Sequence, residues 1–172
     1  MPPLHDVVAP HLRALFVGIN PGLRSAALGH HFAGKGNPFW RLLYAARLVD
    51  RPLTFAEERQ LLAYGLGITN VCARPSKSAA ELTRAELAAG ARALERRVRR
   101  WRPRTVVLVG LTIYQQIFGR DATPGAGAKP QTLGGAPLFV VPNPSGLNAS
   151  FPGFQSKLVW FAALREWLDA NV

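Results

Sequence analysis

The chain has 172 residues, 48% hydrophobic, 9% aromatic and 18% charged, which is the balance of one globular domain with its own core and excludes a largely disordered segment. It has no apolar run near the roughly 20 residues of a membrane helix, no basic start leading into an apolar stretch, and one cysteine, Cys72, which can close no internal disulfide, so a soluble, non-secreted, cytoplasmic protein is expected. Lys and Arg number 21 against 10 acids, for a net charge of +11, and the partners this favours are polyanions, with nucleic acid and anionic membrane surfaces as the two classes.

Residues 1–11 are expected to be a loose end and 12–172 a single domain. Leu15–Ile19 is the first of three short apolar runs without polar alternation, the others being Val106–Gly110 and Leu138–Pro142; each predicts a strand buried on both faces, hence a parallel sheet. Asn37 and Pro38 supply an N-cap and first-turn proline for a helix over Phe39–Ala46. Thr54-Phe-Ala-Glu57 and Thr83-Arg-Ala-Glu86 both spell a capping box, and Pro103 ends the helix that the second one starts. Gly67–Cys72 is a weaker strand candidate, half polar and next to the turn-prone Ala73–Ser76. Further helices are expected near Thr112–Phe118 and Phe154–Ala170. The glycine- and proline-rich stretch Gly119–Gly135 between them predicts a mobile surface loop. Alternating strands and helices give an α/β class, a three-layer α/β/α sandwich with a central, mainly parallel four- to five-stranded sheet and ligands beyond the carboxyl ends of the strands.

Several constellations are weak. Arg92–Arg104 carries seven Arg and one Glu toward the end of a helix, where cations complement the helix dipole; a nucleic-acid stripe would need them on the side of the strand ends. Gly29–Lys35 imitates a phosphate-binding loop, but Gly36 stands where Ser or Thr is needed to hold the metal, and nine residues separate it from its strand. His30 and His31 are adjacent without a zinc-like spacing of further ligands, so neither metal nor cofactor is expected. Ser25 and Ser145 lack the Gly-x-Ser-x-Gly frame of a serine nucleophile.

Two loops remain, leaving the first and last buried strands at one edge of the sheet: Gly18-Ile-Asn-Pro-Gly22 and Val141-Pro-Asn-Pro-Ser-Gly-Leu-Asn148. Together with Gly29-His-His-Phe-Ala-Gly-Lys-Gly-Asn-Pro-Phe-Trp40, they resemble the mismatch-specific uracil-DNA glycosylase and thymine-DNA glycosylase family, in order and spacing, from about Leu12 to Leu168. The resemblance implies a monofunctional enzyme of base excision repair, cytoplasmic and nucleoid-associated in a bacterium. It would be a monomer that takes double-stranded DNA containing uracil or a mismatched pyrimidine as its partner and needs no membrane.

The same resemblance implies residue roles. Asn20 would position the attacking water. Ile19, Ser25, His31, Phe32 and Asn70 would receive the base: Phe32 by stacking, Asn70 by its amide, and Ser25 and His31 near the 5-substituent. Asn143, Pro144, Ser145, Gly146, Leu147 and Asn148 would form the DNA-binding loop, with Leu147 as the wedge that fills the vacated position, since an apolar side chain stacks there without demanding a hydrogen bond. The family often has an Arg two residues past the wedge, where this chain has Ala149, leaving the amide of Asn148 or the glycine-rich loop as candidates for that contact. Rival readings are a glycosylase for ethenocytosine or for thymine opposite guanine, and a non-catalytic module that binds abasic or mismatched DNA.

Overall fold

The computed structural model describes residues 4–145 and 149–172; Gly146, Leu147 and Asn148 lie outside the described residues. The sheet has five strands in the order β2-β1-β3-β5-β4. They are β1 (Ala14–Gly18), β2 (Leu66–Asn70), β3 (Val106–Val109), β4 (Gly127–Leu133) and β5 (Ala136–Val141). Strands β2, β1, β3 and β5 run parallel, while β4 closes the edge antiparallel to β5. The three apolar runs form β1, β3 and β5, and the weaker candidate forms β2.

Alternate side chains of these strands feed two separate cores, as the two-residue period of a strand requires. Phe16, Val107, Val109, Phe139 and Val141 point to one side, against α2 (Phe39–Ala45) and α5 (Gly153–Asn171). Leu15, Val17, Val106, Leu108, Leu138 and Val140 point to the other, against α3 (Arg84–Trp101) and α4 (Leu111–Phe118). Three layers follow from this, with both sheet faces covered. Among the described residues no helix is long and apolar enough to cross a membrane.

Local signals acted largely as the sequence indicates. The Thr83 hydroxyl accepts from the Glu86 N–H at 3.0 Å, and Glu86 accepts in return from the Thr83 N–H at 3.1 Å, so α3 starts on a complete capping box. Glu57 accepts from the Thr54 N–H at 3.0 Å, but the segment that follows, Phe55–Tyr64, is a 3₁₀ helix with non-helical backbone at Glu57. A short helix α1 (Leu23–Leu28) directly after the first motif loop has no counterpart in the sequence reading.

Two expectations need correction. The stretch Gly119–Gly135 is not simply a mobile surface loop, because it contains β4. An edge strand needs an apolar face on one side only, so it carries no continuous apolar run, and Pro130 fits because the ladder is irregular between Lys129 and Thr132. Tyr114 of α4 anchors this region: its hydroxyl donates to Gln131 Oε1 at 2.7 Å and accepts from the Thr123 N–H at 2.9 Å, while the Lys129 ammonium sits 4.7 Å from its ring centroid.

Residues 1–11 are likewise not loose throughout. Val7, 1% exposed, exchanges two 2.9 Å backbone hydrogen bonds with Ile68, and Asp6 accepts from the Thr69 hydroxyl at 2.7 Å. A main chain laid on the outer edge of β2 satisfies groups that an edge strand would otherwise expose. Gly67 makes room for this, since a Cβ there would lie 2.3 Å from the Val7 carbonyl oxygen.

Candidate active site

The loops that follow β1, β2 and β5, with Val109 at the end of β3, line a cleft of about 420 Å³ at the carboxyl ends of the strands. Ile19, Asn20, Ser25, His31, Phe32, Asn70, Asn143 and Ser145 all line it, so the structure brings together residues from both motif loops and from β2. Pro144 is buried and is not among the lining residues. A second hollow of about 400 Å³ adjoins the cleft and shares Ile19, Asn143 and Ser145 with it.

The first motif loop is stitched to the loop after β2. Val71 N–H donates to the Gly18 carbonyl at 2.8 Å, Cys72 N–H to Ile19 at 2.9 Å and Ser76 N–H to Pro21 at 3.1 Å, which carries the β1–β2 pairing past the ends of the strands. On this support the Asn20 side chain is fixed at both amide hydrogens: Nδ2 donates to the Arg74 carbonyl at 2.9 Å and to Ser76 Oγ at 2.8 Å. Since the Arg74 carbonyl can only accept, the amide orientation is determined, and Oδ1 is the atom left to accept from a further donor. Ser76 passes its own hydroxyl hydrogen to the Ser78 carbonyl at 2.7 Å. The Arg74 guanidinium in turn binds both carboxylate oxygens of Glu86, at 2.7 and 2.9 Å, tying the loop to the first turn of α3. That contact, followed by the Thr83 N–H, lowers the Glu86 pKa to about 2.

Phe32 occupies left-handed backbone at φ 51°, a conformation that costs an aromatic residue of order 1–3 kcal/mol and needs its surroundings to hold it. They do. The Ser25 hydroxyl accepts from the Ala33 N–H at 3.0 Å, and the Glu58 carboxylate accepts from the His31 N–H at 2.7 Å while its other oxygen lies 3.5 Å from His30 Nδ1. One face of the Phe32 ring stacks on Phe39 at 4.0 Å between centroids, leaving its outer part to line the cleft. Ser25 thus spends one lone pair of its hydroxyl on the loop while still lining the cleft.

Asn70, the last residue of β2, donates from Nδ2 to His31 Nδ1 at 3.4 Å, and its carbonyl accepts from the Arg97 guanidinium at 2.7 Å. Its Oδ1 sits over Gly18 so closely that a Cβ on that glycine would lie 2.7 Å from it. The floor of the cleft is bare main chain for this reason. In the last motif loop, Asn143 Oδ1 accepts from the Ser145 N–H at 3.0 Å, a local turn that presents Ser145 to the cleft.

The described lining of the cleft contains no Asp, Glu or Cys. Burial, then the charge of Glu86, pushes up the nearby Cys72 thiol, away from nucleophilic thiolate. Among the described residues no group of three His, Cys, Asp or Glu side chains is arranged to hold a metal ion. The far end of the Arg-rich segment is remote from the cleft: Arg104 N–H donates to the Leu12 carbonyl and His11 N–H to Trp101, which places the end of α3 beside the amino end of β1.

Sequence reasoning missed four contributors. Ser76 sits in a stretch that reads as plain turn, Glu58 is a charged residue that only the fold buries (6% exposed), and Leu4 and Lys77 line the cleft without any motif to mark them. The Ser-x-Ser spacing at 76 and 78 is the one signal that bears on this loop.

The chain matches the model of the uracil DNA glycosylase superfamily over residues 5–168. Its fold is also similar to the solution NMR structure of a candidate uracil DNA glycosylase from Methanosarcina acetivorans, with a TM-score of 0.64 and 17% identity over 97% of each chain. At that identity the second likeness is one of fold. The family model spans both motif loops and all five strands, and the chain belongs to the uracil DNA glycosylase superfamily.

Proposed function

We propose that the protein is a monofunctional DNA glycosylase of the mismatch-specific type, which hydrolyses the N-glycosidic bond of uracil in double-stranded DNA and leaves an abasic site in an intact strand. The observation that carries this reading is the fixed Asn20 amide, whose Oδ1 is free to hold one water in a cleft with no carboxylate among its described lining residues. The pairing of Gly18–Gly22 with Asn143–Leu147 in the sequence supports the mismatch-specific subtype.

A base in a duplex must first leave the stack, at a cost of a few kcal/mol that is smallest for a mispaired base. Stacking on Phe32 returns roughly 1–3 kcal/mol of that, and Asn70 offers a donor and an acceptor to a pyrimidine edge. Leu147 acts as the wedge and Asn143, Ser145 and Lys77 meet the backbone of the bound strand. A neutral amide removes no proton, so the 10²–10⁴-fold of general-base catalysis is largely forgone. The reaction is therefore dissociative. The C1′–N1 bond breaks first, the electron pair leaves with the uracil, and the sugar cation is stabilised by the DNA phosphates. The water held by Asn20 then adds its oxygen to C1′ and gives up its proton to solvent, or to the departing base.

The test is incubation of a uracil-containing duplex with purified protein, followed by alkaline strand scission, with Asn20→Ala as control. Release of uracil by the parent protein and its loss in the variant are expected. Release of ethenocytosine, or of thymine opposite guanine, in preference to uracil would reassign the substrate. No release from any of these duplexes would leave a binding module.

A further inference from the structure

The segment that precedes β1 does more than cover a sheet edge. Leu4 lines the cleft, and the His5 main-chain carbonyl lies 2.9 Å from His31 Nε2. A carbonyl only accepts, so the contact calls for a hydrogen on Nε2, and Nδ1, which faces the donor Nδ2 of Asn70, is the acceptor in the Nε2–H tautomer of the ring. His31 is 3% exposed and has its own N–H tied to Glu58. The ring is thereby fixed at the main chain by one contact and at its edge by the other. An amide such as that of Asn70 can turn over and exchange its donor and acceptor ends; here turning over would set two lone pairs, Oδ1 and Nδ1, against each other. The segment is in turn held by the Asp6–Thr69 hydrogen bond and the Val7–Ile68 pair.

We propose that Leu4–Val7 is a positioning strap for the base pocket, acting through the His5 carbonyl and the His31 tautomer to hold the Asn70 amide in one orientation. The proposal rests on the glycosylase reading for its consequence in turnover, but not for its geometry. His31 and the strap are positioning elements, and no step of bond cleavage passes through them.

The test uses the full chain and four variants: Asp6→Ala and Thr69→Val, which untie the strap, His31→Leu, which removes both ring contacts, and His31→Gln, whose amide can donate to the His5 carbonyl and accept from Asn70. With a uracil-containing duplex, the untied variants and His31→Leu are expected to raise the half-saturating concentration about tenfold, the scale of a lost buried hydrogen bond. Affinity for a duplex already abasic should stay within about twofold, since no base is left to read. His31→Gln should recover most of the loss. Equal behaviour of His31→Gln and His31→Leu, or a matching loss of abasic-duplex affinity, would overturn the proposal in favour of a merely structural role. Nitrogen chemical shifts of His31 give a readout without turnover: the parent protein should show the Nε2–H tautomer and Asp6→Ala a mixture. A parent protein with the Nδ1–H tautomer refutes the strap even if uracil is released, whereas absence of release with the Nε2–H tautomer refutes the glycosylase reading alone.

Discussion

The Asn20 amide donates to the Ser76 hydroxyl at 2.8 Å, and that hydroxyl donates onward to the Ser78 carbonyl. Ser76 therefore fixes Asn20 through a hydroxyl whose own hydrogen is already committed. Asn20→Ala is expected to abolish uracil release while leaving abasic-duplex affinity nearly intact. Ser76→Ala should lower single-turnover release by about tenfold, the value of one ordinary buried hydrogen bond, because the Arg74 carbonyl still holds the other amide hydrogen. Comparable loss in both variants would show that the hydroxyl itself takes part.

Phe32 has one ring face on Phe39 and lines the cleft with the rest. Phe32→Leu keeps an apolar side chain but not the flat ring. Its uracil-release efficiency should fall by roughly one to two orders of magnitude, the equivalent of the 1–3 kcal/mol stacking contribution. Thermal unfolding should move by only a few degrees. The two effects separate when release kinetics and melting are measured on the same preparation.

Glu58 supports the pocket from a 3₁₀ helix distant in sequence, accepting from the His31 N–H at 2.7 Å. Removing a buried charged acceptor leaves that N–H unsatisfied, so Glu58→Ala should cost roughly 1.5–3 kcal/mol of stability. Glu58→Gln retains an amide oxygen able to accept and should cost less. Denaturant titration of both variants gives the comparison.

The Arg74–Glu86 clasp sets an acid limit. Its native pKa of about 2 lies below that of an unfolded glutamate, near 4.3. A depressed carboxylate contributes stability that is fully present above the unfolded value and is lost as pH falls toward the folded one. Melting temperature should therefore decline between about pH 4.5 and 2, and Glu86→Gln should flatten that decline. An unchanged profile in the variant would assign the acid sensitivity to other carboxylates.

Much of the fold is legible because it rests on short-range chemistry. Leu15–Ile19, Val106–Gly110 and Leu138–Pro142 are apolar without alternation, which only burial on both faces explains, and Thr83 with Glu86 names a helix start outright. β4 escaped because an edge strand pairs on one side and its residues read as turn. The strap escaped because its anchors, Ile68 and Thr69, lie more than 60 residues away, and nothing local marks a segment held by another strand. In the cleft the motif residues were found by their resemblance to a family, whereas Ser76 and Glu58 act through hydrogen bonds that exist only once separate loops have met.

Gly18 has a consequence for any effort to change which base is accepted. With the Asn70 oxygen poised where its first side-chain carbon would go, any larger residue at this position must displace the Asn70 amide, so the cavity cannot be sculpted from beneath without moving that side chain. Retuning comes more readily from the walls, at Ser25, His31 or the strap behind them, and of these a change at Ser25 will also disturb the scaffold that keeps Phe32 in its strained pose.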